Sequence, residues 1–438
     1  MKRILLFTVC FVSALYAGAQ IKEFTLPNGK VIKVDTKVFP NFQPNAASTP
    51  QPAEYAARRK ARAKQGRVKL PEYVYNGESK FFPPIFNQDG GSCGSAQSIA
   101  YMFTYEMASY RDLDASLPEN QYPSHFTWLL SYQSRGNVDM AKEIGIPNVP
   151  TYGGRTYSKL FGPQDCNDPD YGWMQGYDKW YSAMWNRNSY DVTFAPTTTP
   201  EGRQELKEWL YNHCGDTDMH CGGVAGIGVA AYGTWGAIPA TDANNKAGVK
   251  GMKYVKAWGD ALNHAVTVCG YDDRIEFDLD EDGIIGEVEE DEVGAWIIAN
   301  SWGDGWENKG FIYCPYKYSY AIGKDVLSWN RIIRKGYRPL RTIKLLMDYS
   351  HRSELLLSAG ISQDVNATKP DMTIPFEHFR NAGNTLNANP APEVPMLGRW
   401  VDGMHYEPME FGYDLTDLTA TVDRTKPHKY FFIVKTKD

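Results

Sequence analysis

One stretch limits the folds open to this chain more than any other: Asn87-Gln88-Asp89-Gly90-Gly91-Ser92-Cys93-Gly94-Ser95-Ala96-Gln97-Ser98-Ile99-Ala100. Gly90, Gly91 and Gly94 call for a tight, irregular turn. The residues from Ser95 to about Arg111 then predict a helix opening directly out of it. A side chain at such a helix start faces unpaired backbone N–H groups and the positive end of the helix dipole. Both lower the pKa of a thiol placed there and stabilise an oxyanion.

The rest of the chain offers partners for a nucleophile at that position. Asn263-His264-Ala265-Val266-Thr267-Val268 supplies an imidazole, and Trp296-Ile297-Ile298-Ala299-Asn300-Ser301-Trp302-Gly303 supplies a carboxamide. A thiol peptidase needs a thiolate at a helix start, a histidine to carry the proton, a side chain to hold the imidazole, and donors for the tetrahedral oxyanion. His264 fits the acid/base role, Asn300 the orienting role, Gln88 the amide donor, and Trp302 a cover against water.

At these residues the chain resembles the papain family of cysteine peptidases. Leu70-Pro71-Glu72-Tyr73-Val74 is similar to the start of a mature domain of that family, and Gln88 with Gly91-Ser92-Cys93-Gly94-Ser95 to its oxyanion and nucleophile segment. Asn263-His264-Ala265-Val266 resembles its histidine strand, and Asn300-Ser301-Trp302-Gly303-Asp304-Gly305-Trp306 its asparagine strand. The likeness spans roughly residues 70–335. It implies an α+β, two-lobed domain, a helical lobe beside a β-barrel-like lobe, and peptide-bond hydrolysis through an S-acyl intermediate.

One departure from the family pattern bears on activity. The family signature is C-G-[SA]-C-[WY], with the second cysteine catalytic; here the residues are Cys93-Gly94-Ser95-Ala96-Gln97. Ala96 therefore occupies the nucleophile position, and Cys93 that of the family's first cysteine, usually half of a disulfide. Glu106, ten residues after Ala96, resembles an acidic residue of the family's central helix and supports that register. The leading expectation is a pseudopeptidase: a cleft that holds peptide, glycan or a partner and forms no acyl-enzyme. The alternatives are a peptidase whose cysteine was exchanged for alanine and an active peptidase in which Cys93 or Ser95 has taken over. A thiol three residues upstream lies almost a helical turn away, where misplacement by about an ångström can cost a hundredfold in rate.

A second motif lies at 278–289, D-L-D-E-D-G-I-I-G-E-V-E. Carboxylates of Asp278, Asp280, Asp282 and Glu289 and the carbonyl of Ile284 match the ligand spacing of a calcium loop. Arg274 to Phe277 and Ala295 to Ala299 look like strands, so this EF-hand-like loop is expected as an insertion at a hairpin end, with calcium in a structural role. His213, Cys214, His220 and Cys221 resemble zinc ligands in type, but their spacing fits no familiar zinc pattern.

Residues 1–19, with Lys2 and Arg3 before an apolar run and Ala17-Gly18-Ala19 at the end, read as a secretory signal. Export follows, to the periplasm, the cell surface or the medium. Residues 20–69 read as a propeptide-like region: a hairpin over 22–34 about Asn28-Gly29, a Pro/Asn-rich linker over 39–52 and a basic run over 58–69. Residues 70–335 form the papain-like domain, and 336–438, short apolar strands between turn residues, an all-β sandwich. In an oxidising compartment some of Cys93, Cys166, Cys214, Cys221, Cys269 and Cys314 are expected to pair. A net charge of -6 offers no footprint for nucleic acid. The expected partners are a peptide or protein, with a cell-surface or outer-membrane assembly as a further candidate.

Overall fold

The computed structural model describes residues 21–25, 31–35, 69–88, 90–128, 134–153, 174–187, 197, 199–215, 219–260, 262–321, 338–350, 354–376 and 407–436. The expected leader, the 39–52 linker and the basic run up to residue 68 lie outside these residues. The chain forms two compact units, one of Met1–Ser48, Tyr122–Tyr190 and Ile332–Asp438, the other of Thr49–Gln121 and Asp191–Arg331. The expected 70–335 span coincides with neither, because residues 122–190 group with the C-terminal strands.

In chain order the elements are β1 (Ile21–Thr25), β2 (Val31–Asp35), β3 (Tyr73–Tyr75) and a long helix α1 (residues 93–111). Four short helices follow, α2 (Ser124–Trp128), α3 (Ser134–Glu143), α4 (Val149–Tyr152) and α5 (Tyr177–Met184), and then the longer α6 (Pro200–Asn212). Next come β4 (Ala225–Val229), β5 (Thr234–Ala237), α7 (Asp242–Ala247), β6 (Lys253–Ala257), β7 (His264–Glu276), β8 (Val293–Ala299) and β9 (Phe311–Pro315). The chain closes with β10 (Thr342–Met347), β11 (Leu355–Ser362), β12 (Met372–Phe376), β13 (Met409–Asp414), α8 (Thr416–Thr419) and β14 (Lys429–Thr436).

The unit that carries the papain-like motifs is built on a seven-stranded sheet ordered β3-β7-β8-β9-β6-β5, with β4 also paired to β7. β7 is the spine: β3 and β4 share one edge and β8 takes the other. Its residues 264, 266–272 and 275 are buried or nearly so, and Trp296 on β8 is fully buried beside it, which fits strands with covered faces. α6 owes its start to its own sequence. Thr199 caps it by accepting from the Gly202 N–H, Pro200 sits in the first turn, and Leu206, Trp209 and Leu210 turn inward.

α1 is not a regular helix. Cys93–Ser95 is an α-turn, Ala96–Phe103 a π-helix, and Thr104–Arg111 α-helical again. Two hydroxyls account for part of this. Ser98 Oγ donates to the Gly94 carbonyl at 2.7 Å and Thr104 Oγ1 to the Ile99 carbonyl at 3.3 Å, so side chains take acceptors that i→i−4 amides would otherwise use. All eight residues of the π segment are buried.

In the other unit β1 and β2 form the expected hairpin, Ile21 opposite Asp35 and Thr25 opposite Val31. Its inner side chains Ile32 and Val34 cluster with Ala420, against Leu340 and Met372. The C-terminal strands form two antiparallel sheets, β10-β13 and β12-β11-β14. Phe376 on β12 stacks on Tyr413 of β13 with ring centroids 3.5 Å apart. Arg187 donates to Asp414 at 2.8 Å and to Asp417 at 2.9 Å, tying the 122–190 segment to those strands.

Among the described residues Cys93, Cys221, Cys269 and Cys314 are free thiols, and no two described cysteines pair with each other. Each sulfur has other neighbours. Cys221 Sγ lies 3.0 Å from the Tyr105 hydroxyl, while Cys269 and Cys314, fully buried, face the carbonyls of Ile297 and Pro315. Cys166 is outside the described residues.

Candidate active site

His264 is the first residue of β7, and Asn300 follows the last residue of β8. With Thr267 opposite Ala299, the ladder brings the two side chains together, His264 Nε2 to Asn300 Oδ1 at 2.7 Å. The Ser301 N–H also donates to Asn300 Oδ1, at 2.7 Å, which identifies that atom as the oxygen. An oxygen only accepts, so Nε2 carries the proton and the neutral ring keeps its lone pair on Nδ1. Trp302 stacks on the imidazole, centroids 4.6 Å apart and planes 25° from parallel. Burial pulls the His264 pKa down, opposed by the bond to Asn300. Asn300 is itself fixed: its carbonyl accepts from Tyr101 Oη at 2.9 Å and its N–H donates to Gly310.

The helix start is occupied by Cys93, which is half-buried. The backbone amides of Ala265, of Gly94 and of Cys93 itself favour the thiolate form of its sulfur. Ala265 is the residue directly after His264. Burial raises the Cys93 pKa, and those amides oppose the rise. Ala96 is 0% exposed and part of the core cluster. Ser95 is also enclosed, at 1% exposed, and its hydroxyl has no hydrogen-bond partner. Of the residues around the turn, only Cys93 combines a nucleophilic atom with access.

Gln88 is held in place by Ser301. Its N–H donates to the Ser301 carbonyl at 2.7 Å and its Oε1 accepts from Ser301 Oγ at 2.6 Å. Nε2 donates once, to the Gly90 carbonyl at 2.8 Å, which leaves one N–H for a developing oxyanion. Sequence reasoning passed over Gln97, whose buried amide reaches the carbonyls of Ile227 and Val266, and Tyr101, which holds Asn300. The available signal was a polar residue within a helix run otherwise written in small and apolar residues.

In the acidic loop, Asp278, Asp280 and Glu292 form one close group of carboxylates and Asp280, Asp282 and Glu287 another, each within 4.8 Å. Glu289 belongs to neither and lies in a 3-10 turn, and the Ile284 N–H donates to Asp282 Oδ1. Glu292 is fully buried and accepts from the Leu279 N–H, and Asp278 Oδ1 is buried without a partner. The four zinc-like residues are used otherwise. His213 Nε2 meets Glu106 at 3.0 Å, Cys214 Sγ donates to the Glu205 carbonyl at 3.8 Å, His220 lies against Phe81, and Cys221 against Tyr105.

Residues 237–328 match the model of the papain family cysteine proteases. The likeness to that family is confined to this span, which holds His264 and Asn300. Among solved structures the chain is similar to digestive procathepsin L 3 of Tenebrio molitor larval midgut, with 18% identity over 61% of this chain and 71% of that one and a TM-score of 0.37. It is also similar to xylellain, a cysteine protease from Xylella fastidiosa, with 15% identity, 66% and 91% coverage and a TM-score of 0.37. A third is bromelain protease from Ananas comosus, with 14% identity, 60% and 99% coverage and a TM-score of 0.35. No curated protein matches.

Proposed function

We propose that the chain is a cysteine peptidase whose nucleophile is Cys93, with His264 as acid/base and Asn300 orienting it. The observation that carries this reading is the placement of Cys93, half-buried at the start of α1, against β7, whose first residue is His264. In the reaction Cys93 Sγ attacks the scissile carbonyl carbon as His264 Nδ1 takes the thiol proton. The C–N bond breaks, His264 delivers that proton to the leaving amine, and water then hydrolyses the thioester to release the acid and restore the thiol. The free N–H of Gln88 and the backbone at the helix start are the oxyanion donors. The substrate is a peptide or protein met after export, with a cell-surface or outer-membrane assembly as the setting.

The test is hydrolysis of a mixed peptide library by the mature chain, by Cys93→Ala and by Ala96→Cys, with a thiol alkylator and mass spectrometry to locate the label. Turnover in the parent, lost in Cys93→Ala and with label on Cys93, is the expected outcome. A silent parent with turnover gained in Ala96→Cys would instead mean a disarmed cleft with Ala96 at the nucleophile position, and the protein would then be a peptide- or glycan-binding pseudopeptidase.

We also propose that the 278–292 loop binds calcium in a structural role, through Asp278, Asp280 and Glu292 with Asp282 beside them. Supporting this are nine acidic side chains in fifteen residues and the buried, unpartnered Asp278 Oδ1.

A further inference from the structure

We infer that Gln97 is the positioning residue that sets how closely the Cys93 thiol approaches His264; this rests on the Cys93 reading above. Gln97 is four residues along α1 from Cys93 and only 6% exposed. Its Nε2 donates to the Ile227 carbonyl at 2.8 Å and to the Val266 carbonyl at 2.9 Å. Ile227 and Val266 face each other across the β4/β7 pair, so one amide spans both strands.

The start of α1 therefore lies against β7, and one turn on, the amide of Gln97 takes the C=O of Val266. His264 begins the same strand. Shifting α1 along or away from β7 breaks the Gln97 contact and carries Cys93 with it, and the imidazole cannot follow because Asn300 and Trp302 hold it. With both its hydrogens committed, the Gln97 amide has none left for an oxyanion, so its part is geometric.

The space for this amide depends on a second residue. A Cβ at Gly226 would lie 2.5 Å from Gln97 Cδ and 2.7 Å from its Nε2. Glycine at 226 is what lets the carboxamide lie flat against the two strands. The π segment that contains Gln97 turns the side chains beyond it away from regular α spacing, so Gln97, in its first turn, is the last polar side chain whose offset from Cys93 stays close to one ordinary turn.

The experiment follows alkylation of Cys93 by iodoacetamide, read by mass spectrometry, in the parent, Gln97→Met, Gly226→Ala and each of these combined with His264→Ala. In the parent, His264→Ala should slow Cys93 alkylation by about tenfold or more, as loss of a proton acceptor does. In Gln97→Met the same change should matter less than about twofold, because the thiol no longer sits within reach of the ring. Gly226→Ala keeps both donors but displaces the amide, and should reproduce that loss; it serves as the independent variant where Gln97→Met does not unfold cooperatively. Equal His264→Ala factors in all backgrounds would overturn the inference and identify Gln97 as an ordinary helix-to-sheet contact. Peptide hydrolysis by the parent separates the two readings. His264-dependent alkylation without hydrolysis sinks the proposed reaction and leaves Gln97 standing, and hydrolysis with equal factors does the reverse. Alkylation insensitive to His264 in the parent overturns both.

Discussion

At the scale of residues, the pairing of His264 with Asn300 has consequences that pH can test. Burial pulls the imidazole pKa below its ordinary 6.5, while the bond to Asn300 raises it. To accept the thiol proton the ring must be neutral, so kcat/KM should hold as pH falls below about 6.5 and drop only through the lowered pKa. The same sign governs stability. The folded state disfavours the proton, so this group's contribution is present above the unfolded pKa and is lost as pH falls through the folded one. Asn300→Ala removes the bond that raises the pKa. Its acid limb should therefore move lower still, with kcat reduced about ten- to hundredfold and KM little changed, as read from pH profiles of both constants. His264, Asn300, Gln88 and Trp302 were legible in the sequence because their residue types and order match a known chemistry. Cys93 was legible only as an alternative, because the motif register pointed to Ala96. Gln97 stood out only as a polar residue in a helix run of small and apolar ones, and its part was not legible, since its two acceptors are backbone carbonyls more than a hundred residues away.

At the scale of elements, the π segment of α1 is the feature that motif matching could not anticipate. The helix was expected from about Ser95 and begins at Cys93, and the wide turns that follow absorb residues that a regular helix would have to place elsewhere. Ser98→Ala frees the Gly94 carbonyl and favours an α-helical path. Peptide turnover should fall about tenfold or more through displacement of Cys93, while the unfolding midpoint moves by no more than a few degrees. The acidic loop was legible as a calcium motif, but the carboxylates that come together include Glu292 and Glu287 rather than Glu289, because a 3-10 turn carries Glu289 outward. If calcium occupies it, an excess of about a hundredfold over Kd adds about 2.7 kcal/mol. Chelator should then lower the unfolding midpoint of the parent, and Asp280→Ala should be insensitive to it; equal midpoints in calcium and chelator would remove the ion from the reading.

At the scale of the whole molecule, the strands of β7, β8 and β11 were readable from apolar runs, whereas β5, β6 and β12, short or half-exposed, were not. The grouping of residues 122–190 with the C-terminal strands had no sequence signal either, since it depends on Arg187 meeting Asp414 and Asp417. Arg187→Leu strands two enclosed carboxylates and should cost about 3–5 kcal/mol of that unit's stability in denaturant titration, far more than an exposed pair. The hairpin of β1 and β2 has a different kind of consequence. Its inner residues Ile32 and Val34 rest with Ala420, Leu340 and Met372. On the ribosome this hairpin is made more than three hundred residues before Leu340, Met372 and Ala420, which cover its hydrophobic side. Such long-range closure is slow, so the hairpin shows a bare apolar face until those residues emerge.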